Sequence, residues 1–545
     1  MDYTKLAELL YPDVTKTPED IEALYPAREL PEGAKVTRFA PSPTGYMHIG
    51  NMFSALIDLL AARSSGGVFY LRIEDTDRKR EVSDAVPVIL DGLRTFGIVP
   101  DEGVVAAGER KGSYGPYVQS ERAEIYRVCA KALVAKGAAY PCFCTPEELS
   151  AIRSEQEAAG ENTGYYGKYA RCRDLSLEDV KAKLDAGMPF VIRLRAEAGG
   201  GKIVVDDMIK GKLELPENDV DVVLMKSDGI PPYAFAHAVD DHYMRTTHVI
   251  RGDEWVSSLP AHIAIFKALG FRPPKYAHIS PIMKLDGGNK RKLSKRKDPE
   301  AGASYYMSKG YPKQGVLDYL CGIANSDFED WRRANPDESI EKFKFNFKKM
   351  SSSGALFDTA KLDDVSKGVV ARMTADEVLD SVLEWSRAND AELFALLDGD
   401  RDRARAIFSI DRGGKKGRKD IAKWEDVRGY VSYFYDALFE GSSTPENVRP
   451  GDAAAILARY AELYDPADDR DAWFAKIKTL CADTGFCADM KAYRADPGAY
   501  PGSIADVTNV IRAAVTGRTA SPDLYDILRL LGDGAVARMK RAAAQ

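Results

Sequence analysis

The sequence predicts an α/β multidomain protein, with an N-terminal half built on a parallel sheet and a C-terminal part that is all helical. Three observations carry this. Residues 35–73 run as apolar strand, Gly/Pro-rich turn, amphipathic helix and second apolar strand, the opening of a parallel α/β unit. That pattern is interrupted over 116–235 and returns at 248–269. From about residue 350 onward, alanine-, leucine- and charge-rich runs broken by Gly and Pro read as helices.

Residues 1–34 form an N-terminal extension: Leu6, Leu9 and Leu10 suggest one helix, and Pro12, Pro18, Pro26 and Pro31 interrupt the chain beyond it. Residues 35–115 are the first α/β half, with a strand at 35–40, a loop at 41–51, a helix at 52–61 ended by Gly66-Gly67, and a strand at 68–73. Residues 116–235 mix short strands and helices, including a candidate strand pair near 190–206, and read as an α+β insertion. Residues 236–282 resume the sheet, with a strand at 248–252 and a helix at 260–269 closed by Gly270. Residues 283–365 carry a dense basic loop at 290–297, and 366–545 are helical, with helices at 452–463 and 523–539.

Composition bounds the function. A chain of 545 residues suggests about three or four domains. Hydrophobic and charged contents of 45% and 29% are ordinary for a globular protein. A net charge of −7 argues against a uniformly basic nucleic-acid coat but not against a local basic face. Seven sparse cysteines form no disulfide framework and suit a reducing compartment. The acidic start has no signal-peptide core, and no apolar run approaches the roughly 18 residues that span a bilayer. A soluble, cytoplasmic, monomeric protein without membrane partners is expected.

Two motifs carry the chemistry. In the loop 41–51, a helix start offers unpaired amides and a positive dipole end to phosphate, Gly45 and Gly50 allow close backbone approach, and His48 and Asn51 add donors. About 240 residues later, Lys292-Leu293-Ser294-Lys295-Arg296 comes after Gly287-Gly288. Fixed cations on such a loop suit the charge that builds at an attacked phosphorus. A lone basic run is most often a solvated loop; this one gains meaning from its pairing with RFAPSPTGYMHIGN. Together the two segments resemble the HIGH and KMSKS signatures of class I aminoacyl-tRNA synthetases. The second histidine of HIGH is Asn51 here, a position that varies among glutamyl enzymes.

RIEDTDR at 72–78, PYAFAHAVDD at 232–241 and HVIRGDEW at 248–255 are similar to bacterial-type glutamyl-tRNA synthetases. The resemblance, strong over about 35–365, implies a split Rossmann-like catalytic domain with an acceptor-end insertion, a connecting domain bearing the lysine loop, and an anticodon-binding region. It implies ATP and Mg²⁺ bound near His48, Gly50, Asn51, Lys292, Ser294 and Lys295, with His48, Lys292 and Lys295 catalytic. A guanidinium reads a carboxylate bidentately, which suits Arg38 and Arg251 to glutamate. Ser42 and Glu74 would hold its amino group. Tyr233 and His237 would line the pocket, although some relatives carry asparagine at 237. Activation is expected to need bound tRNA.

Cys142, Cys144 and Cys172 have spacing that suits zinc, and the resemblance to a zinc patch of some bacterial relatives adds Asp174 as fourth ligand, with Tyr169 as an alternative. In 412–420, Lys415, Lys416, Arg418 and Lys419 form a phosphate-seeking loop expected to face tRNA(Glu), with tRNA(Gln) as an alternative acceptor. Three other readings compete: a glutaminyl-tRNA synthetase, disfavoured by RIEDTDR; the short relative that glutamylates a tRNA base, disfavoured by about 180 C-terminal residues; and a non-catalytic RNA-binding paralogue, disfavoured by the intact lysine loop and the Arg38 and Glu74 positions.

Overall fold

The computed structural model describes residues 1–43, 47–76, 82, 84–197, 200–294, 296–413 and 417–544. These divide into two compact units, residues 1–305 with 320–358, and residues 306–319 with 359–545.

The first unit opens with two helices rather than one, α1 (Tyr3–Leu10) and α2 (Pro18–Leu24), because Thr17 and Asp20 build a fresh capping box with proline at the first helical position. This segment is tied down: Arg28 makes a two-pronged ion pair with Glu102 (2.8 and 3.0 Å), and the Tyr25 hydroxyl donates to Gly115 O (2.8 Å).

Strand β1 (Val36–Phe39) leads through the 41–48 loop into α3 (Ile49–Arg63), and β2 (Val68–Leu71) returns parallel to β1, with Val36 opposite Val68. A Cβ on Gly67 would lie 1.9 Å from Lys35 O, so only glycine permits this crossover to close. After α4 (Ala85–Thr95), β3 (Glu102–Ala106) joins β2 in parallel and β4 (Glu109–Lys111) turns back along β3. Helix α5 (Ala123–Ala135) packs against α1.

The insertion contains β5 (Ala139–Cys142), α6 (Pro146–Ala159), α7 (Leu177–Asp185), β6 (Val191–Leu194), β7 (Lys202–Asp207), β8 (Gly211–Pro216) and β9 (Val223–Met225). The strand pair expected near 190–206 does not form. Both strands exist, but β6 lies between β5 and β9, whereas β7 pairs with β8 in a hairpin. Linear spacing predicts neighbours, but β7 and β8 leave as a self-contained hairpin and β9 returns to take the place beside β6.

Helix α8 (Tyr233–Tyr243), β10 (His248–Gly252), α9 (Leu259–Leu269) and β11 (Lys275–Ile279) follow the insertion. Thr247 N–H donates to Val36 O (3.0 Å), laying β10 beside β1, and β10 pairs in parallel with β11. The basic segment expected as a loop is partly a strand. β12 (Met283–Asp286) and β13 (Asn289–Lys292) form a hairpin around Gly287 and Gly288, both in the left-handed region.

The second unit is helical. Its core gathers Val382, Leu397, Ile407, Ile456, Leu480 and Ile511, all essentially inaccessible to solvent. The buried Arg538 guanidinium donates to Tyr433 O and Val515 O and pairs with Asp436. The helix expected over 523–539 is two, Leu524–Leu531 and Asp533–Ala543, broken at Gly532 (φ 52°, ψ −131°), a conformation that favours glycine. No helix among the described residues is long and apolar enough to cross a membrane.

Candidate active site

A cleft of about 1170 Å³ in the first unit opens at the C-terminal ends of β1 and β10, where α/β sheets hold ligands. One wall is the start of α3. His48 caps this helix: its Nδ1 accepts the Asn51 N–H (3.1 Å), and Asn51 Oδ1 accepts the His48 N–H (3.3 Å). With Nδ1 accepting, the neutral ring carries its proton on Nε2. His48, Gly50 and Asn51 line the cleft.

The opposite wall is the β12–β13 hairpin, which contributes Lys292 and Leu293. Residues after the hairpin return directly to the histidine segment: Ala303 N–H donates to Met47 O (3.2 Å), and His48 bridges Gly302. Asp298 shapes the turn. It accepts two bonds from Arg291 (2.6 and 2.8 Å) and the Ser294 N–H (3.0 Å), and the Arg291 bonds hold its carboxyl well below the usual carboxylate range. Ser294 lies on this turn rather than among the cleft-lining residues. Lys295 and Gly45 lie outside the described residues.

The inner end of the cleft carries Arg38, Ser42, Glu74, Tyr233 and Arg251. Arg38 is buried on β1 and donates to Ile250 O (3.2 Å). Glu74 pairs with Arg72 (2.9 Å), not with Arg38. Burial pushes the Glu74 carboxyl up, against the pull of Arg72 and Arg38. Tyr233 packs on Trp255 with ring centroids 4.2 Å apart, and its hydroxyl accepts from Arg251 Nη1 (3.4 Å). His237 does not reach the cleft wall. It lies fully buried behind Tyr233, pairs with Asp241 through Nδ1 (2.5 Å), and meets the Tyr276 hydroxyl through Nε2 (3.1 Å). Burial lowers its pKa to about 4, so the ring is neutral.

Sequence reasoning gave no role to Asp241, which holds this end together. Fully buried, it accepts from Arg72 (2.8 Å) and Thr246 (3.0 Å), and lies 3.5 Å from Arg38 Nε. Burial opposes its charge, but Arg72 and Arg38 overcome that and hold its carboxyl well below the ordinary range. The signal was the unpaired look of two adjacent acids inside an apolar helix, Asp240-Asp241. Lys226 and Asp228, on a turn of the insertion, also line the cleft, and Lys226 Nζ donates to Thr76 O (3.1 Å).

The sulfurs of Cys142, Cys144 and Cys172 all lie within 4.8 Å of one another. Two thiolates on one tetrahedral zinc at about 2.3 Å sit about 3.8 Å apart, and Cys144 and Cys172 are 3.7 Å apart. The Tyr165 hydroxyl lies 3.3 Å from Cys144 Sγ and accepts the Cys172 N–H (3.0 Å). The neighbouring Cys172 and Tyr165 groups hold the Cys142 thiol below its usual range. This donor set fits zinc. Asp174 does not join it: its exposed carboxylate pairs with Arg195 (3.0 Å). Tyr169 instead meets the Tyr166 ring edge-on.

In the second unit, Arg418 is clasped by Asp420 (2.7 and 3.1 Å) and Lys419 by Asp364 (3.1 Å). Lys415 and Lys416 lie outside the described residues.

Comparison with known proteins agrees with this geometry. Residues 35–364 match the family described as tRNA synthetases class I (E and Q), catalytic domain. The chain is 48% identical to a glutamate–tRNA ligase of Clostridium perfringens (strain 13 / Type A), covering 98% of this chain and 99% of that one. It is 47% identical to a glutamate–tRNA ligase of Sorangium cellulosum, covering 96% and 98%. A crystal structure of a glutamate tRNA ligase from Elizabethkingia meningosepticum, in complex with its amino acid, superposes with a TM-score of 0.75 at 28% identity, over 94% of this chain and 99% of that one. The chain therefore belongs to the glutamate–tRNA ligase family of class I tRNA synthetases.

Proposed function

We propose that this protein ligates L-glutamate to tRNA(Glu) in two steps, in the cytoplasm and as a monomer. The α-carboxylate of glutamate attacks the α-phosphorus of ATP, and pyrophosphate leaves. The 2′-hydroxyl of the terminal adenosine then attacks the acyl carbon of the glutamyl-adenylate, and AMP leaves. The observation that carries this reading is the shared cleft. The His48 helix start and the Lys292 hairpin face one nucleotide-sized space, and two buried guanidinium groups, Arg38 and Arg251, close its inner end.

In this reading His48, Gly50 and Asn51 receive ATP, and Lys292 and Lys295 stabilise charge on the phosphates. Mg²⁺, when bound to ATP, neutralises phosphate charge and orients the leaving group. Arg38 and Arg251 take the carboxylates of glutamate, Ser42 and Glu74 its ammonium, and Tyr233 closes the pocket. His237 acts from behind Tyr233. Zinc, held by Cys142, Cys144 and Cys172 beside the Tyr165 hydroxyl, braces the insertion and takes no part in the chemistry. Arg418 and Lys419, with Lys415 and Lys416, meet tRNA phosphates once their carboxylate partners give way.

The test is charging of purified tRNA(Glu) and tRNA(Gln) with labelled glutamate. Charging of tRNA(Glu), lost in Lys295→Ala with the fold retained, is the expected outcome. Unchanged charging by that variant removes the lysine loop from the mechanism. Charging with glutamine instead of glutamate refutes the substrate assignment, and glutamate on tRNA(Gln) identifies the second acceptor.

A further inference from the structure

The side of Arg251 turned away from the cleft is held by two histidines. Its Nε donates to His278 Nε2 (3.1 Å), and its Nη2 lies 3.1 Å from His262 Nδ1. Nη1 reaches the cleft-lining Tyr233 (3.4 Å). A guanidinium has donors only, so each imidazole must present a bare nitrogen toward it. For His278 that requirement is met from the far side of the ring. Its Nδ1 donates to Asp207 Oδ2 (2.7 Å), which leaves Nε2 unprotonated and aimed at Arg251. Asp207, His278 and Arg251 are all buried.

Asp207 comes from outside the catalytic sheet. It is the last residue of β7, in the insertion hairpin. Its carboxylate is fully used as an acceptor: Oδ2 also takes the His278 N–H (3.0 Å), and Oδ1 takes the N–H groups of Ile209 (2.9 Å) and Lys210 (2.8 Å). The turn so formed is fastened to the cleft floor by Lys210, whose Nζ donates to Asp253 (2.9 Å), Ser280 (2.9 Å) and Ser352 O (3.2 Å).

We propose that Asp207 is a positioning residue for glutamate recognition: by fixing the His278 ring proton on Nδ1, it makes Nε2 the acceptor that sets the orientation of Arg251. The proposal rests on the reading of Arg251 as a carboxylate-binding residue. Asparagine cannot replace Asp207, because four donors converge on its two oxygens and an amide supplies only one. If the amide nitrogen faces His278, the ring proton moves to Nε2 and confronts the Arg251 Nε–H. If it faces the turn, the Ile209 and Lys210 amides lose their acceptor.

The experiment is a double-mutant cycle on KM for glutamate in aminoacylation at saturating tRNA, using Asp207→Asn, Arg251→Ala and both. Asp207→Asn is expected to raise KM for glutamate about tenfold, as loss of one charge-assisted hydrogen bond does. KM for ATP should stay within about twofold, and Asp207→Asn should add nothing once Arg251 is alanine. An unchanged KM for glutamate in Asp207→Asn, or full additivity with Arg251→Ala, overturns the proposal. If Arg251→Ala itself leaves that KM unchanged, the glutamate-site reading falls and the proposal falls with it. Nitrogen-15 NMR of the His278 ring in the native protein gives a second reading that needs no variant. A proton on Nδ1 supports the proposal and a proton on Nε2 overturns it.

Discussion

Asp241→Asn isolates the charge balance beneath the amino-acid end of the cleft. The buried set holds three guanidinium groups, Arg38, Arg72 and Arg122, against the carboxylates Glu74, Asp240 and Asp241; a fourth buried carboxyl, Asp58, faces Arg38 and Asp241, and burial pushes its pKa well up, toward the neutral form. The neutral His237 leaves that balance unchanged. Asparagine keeps the shape and can still meet Thr246 and Tyr70, but it leaves one guanidinium charge uncompensated in a buried site. Breaking a buried ion pair from one side costs about 3–5 kcal/mol, a factor of more than about 100 in the folded population. Hydrogen exchange of the β1, β2 and β10 amides, followed by mass spectrometry across a urea series, reads the opening free energy of this unit without assuming that the whole chain unfolds at once. Asp241→Asn should lower it by about 3 kcal/mol or more. Adding Arg72→Met should restore part of the loss, because it removes the stranded charge. A single variant within about 1 kcal/mol of the native protein, or a double variant worse than the sum of the singles, refutes the argument.

Acid should weaken the first unit before its carboxylates titrate. His237 titrates near 4 in the folded protein and near 6.5 when unfolded, so the unfolded chain binds the proton first as pH falls. Its contribution is complete above about pH 6.5 and is lost between 6.5 and 4, at up to about 1.4 kcal/mol per pH unit. His237→Asn should flatten that slope in urea titrations, leaving the parts due to His242, His248 and His262, whose pKa values burial also lowers. Gly67→Ala should unfold the first unit at markedly lower temperature in calorimetry, because its Cβ would sit 1.9 Å from Lys35 O. Asp298→Asn, which frees Arg291 and the Ser294 amide, should raise KM for ATP several-fold and leave KM for glutamate unchanged in aminoacylation kinetics.

The catalytic body was legible because its strands and turns obey local rules. The strand at 36–39, the helix after His48 and the αL cap at Gly270 each carry their signal within a few residues. The cleft was legible for a related reason: RFAPSPTGYMHIGN and KLSKR each fix one wall. What escaped was set by partners distant in sequence. His237 was expected at the pocket from resemblance, yet lying one helical turn from Tyr233 stacks the two rings and buries the second. The partner of β6 was misjudged because pairing depends on where β9 returns, about 30 residues later. Asp174 lies only two residues past Cys172, but Arg195 draws it outward.

The reciprocal cap between His48 and Asn51 bears on why this signature tolerates change at its fourth letter. The side chain at position 51 spends its acceptor on the first residue of its own motif, so its duty is to start a helix and aim an imidazole. Any side chain of similar reach with a lone pair to offer can do that, including the histidine of the more familiar spelling. The first histidine has no such substitute, since its ring must serve the chain through one nitrogen and the cleft through the other.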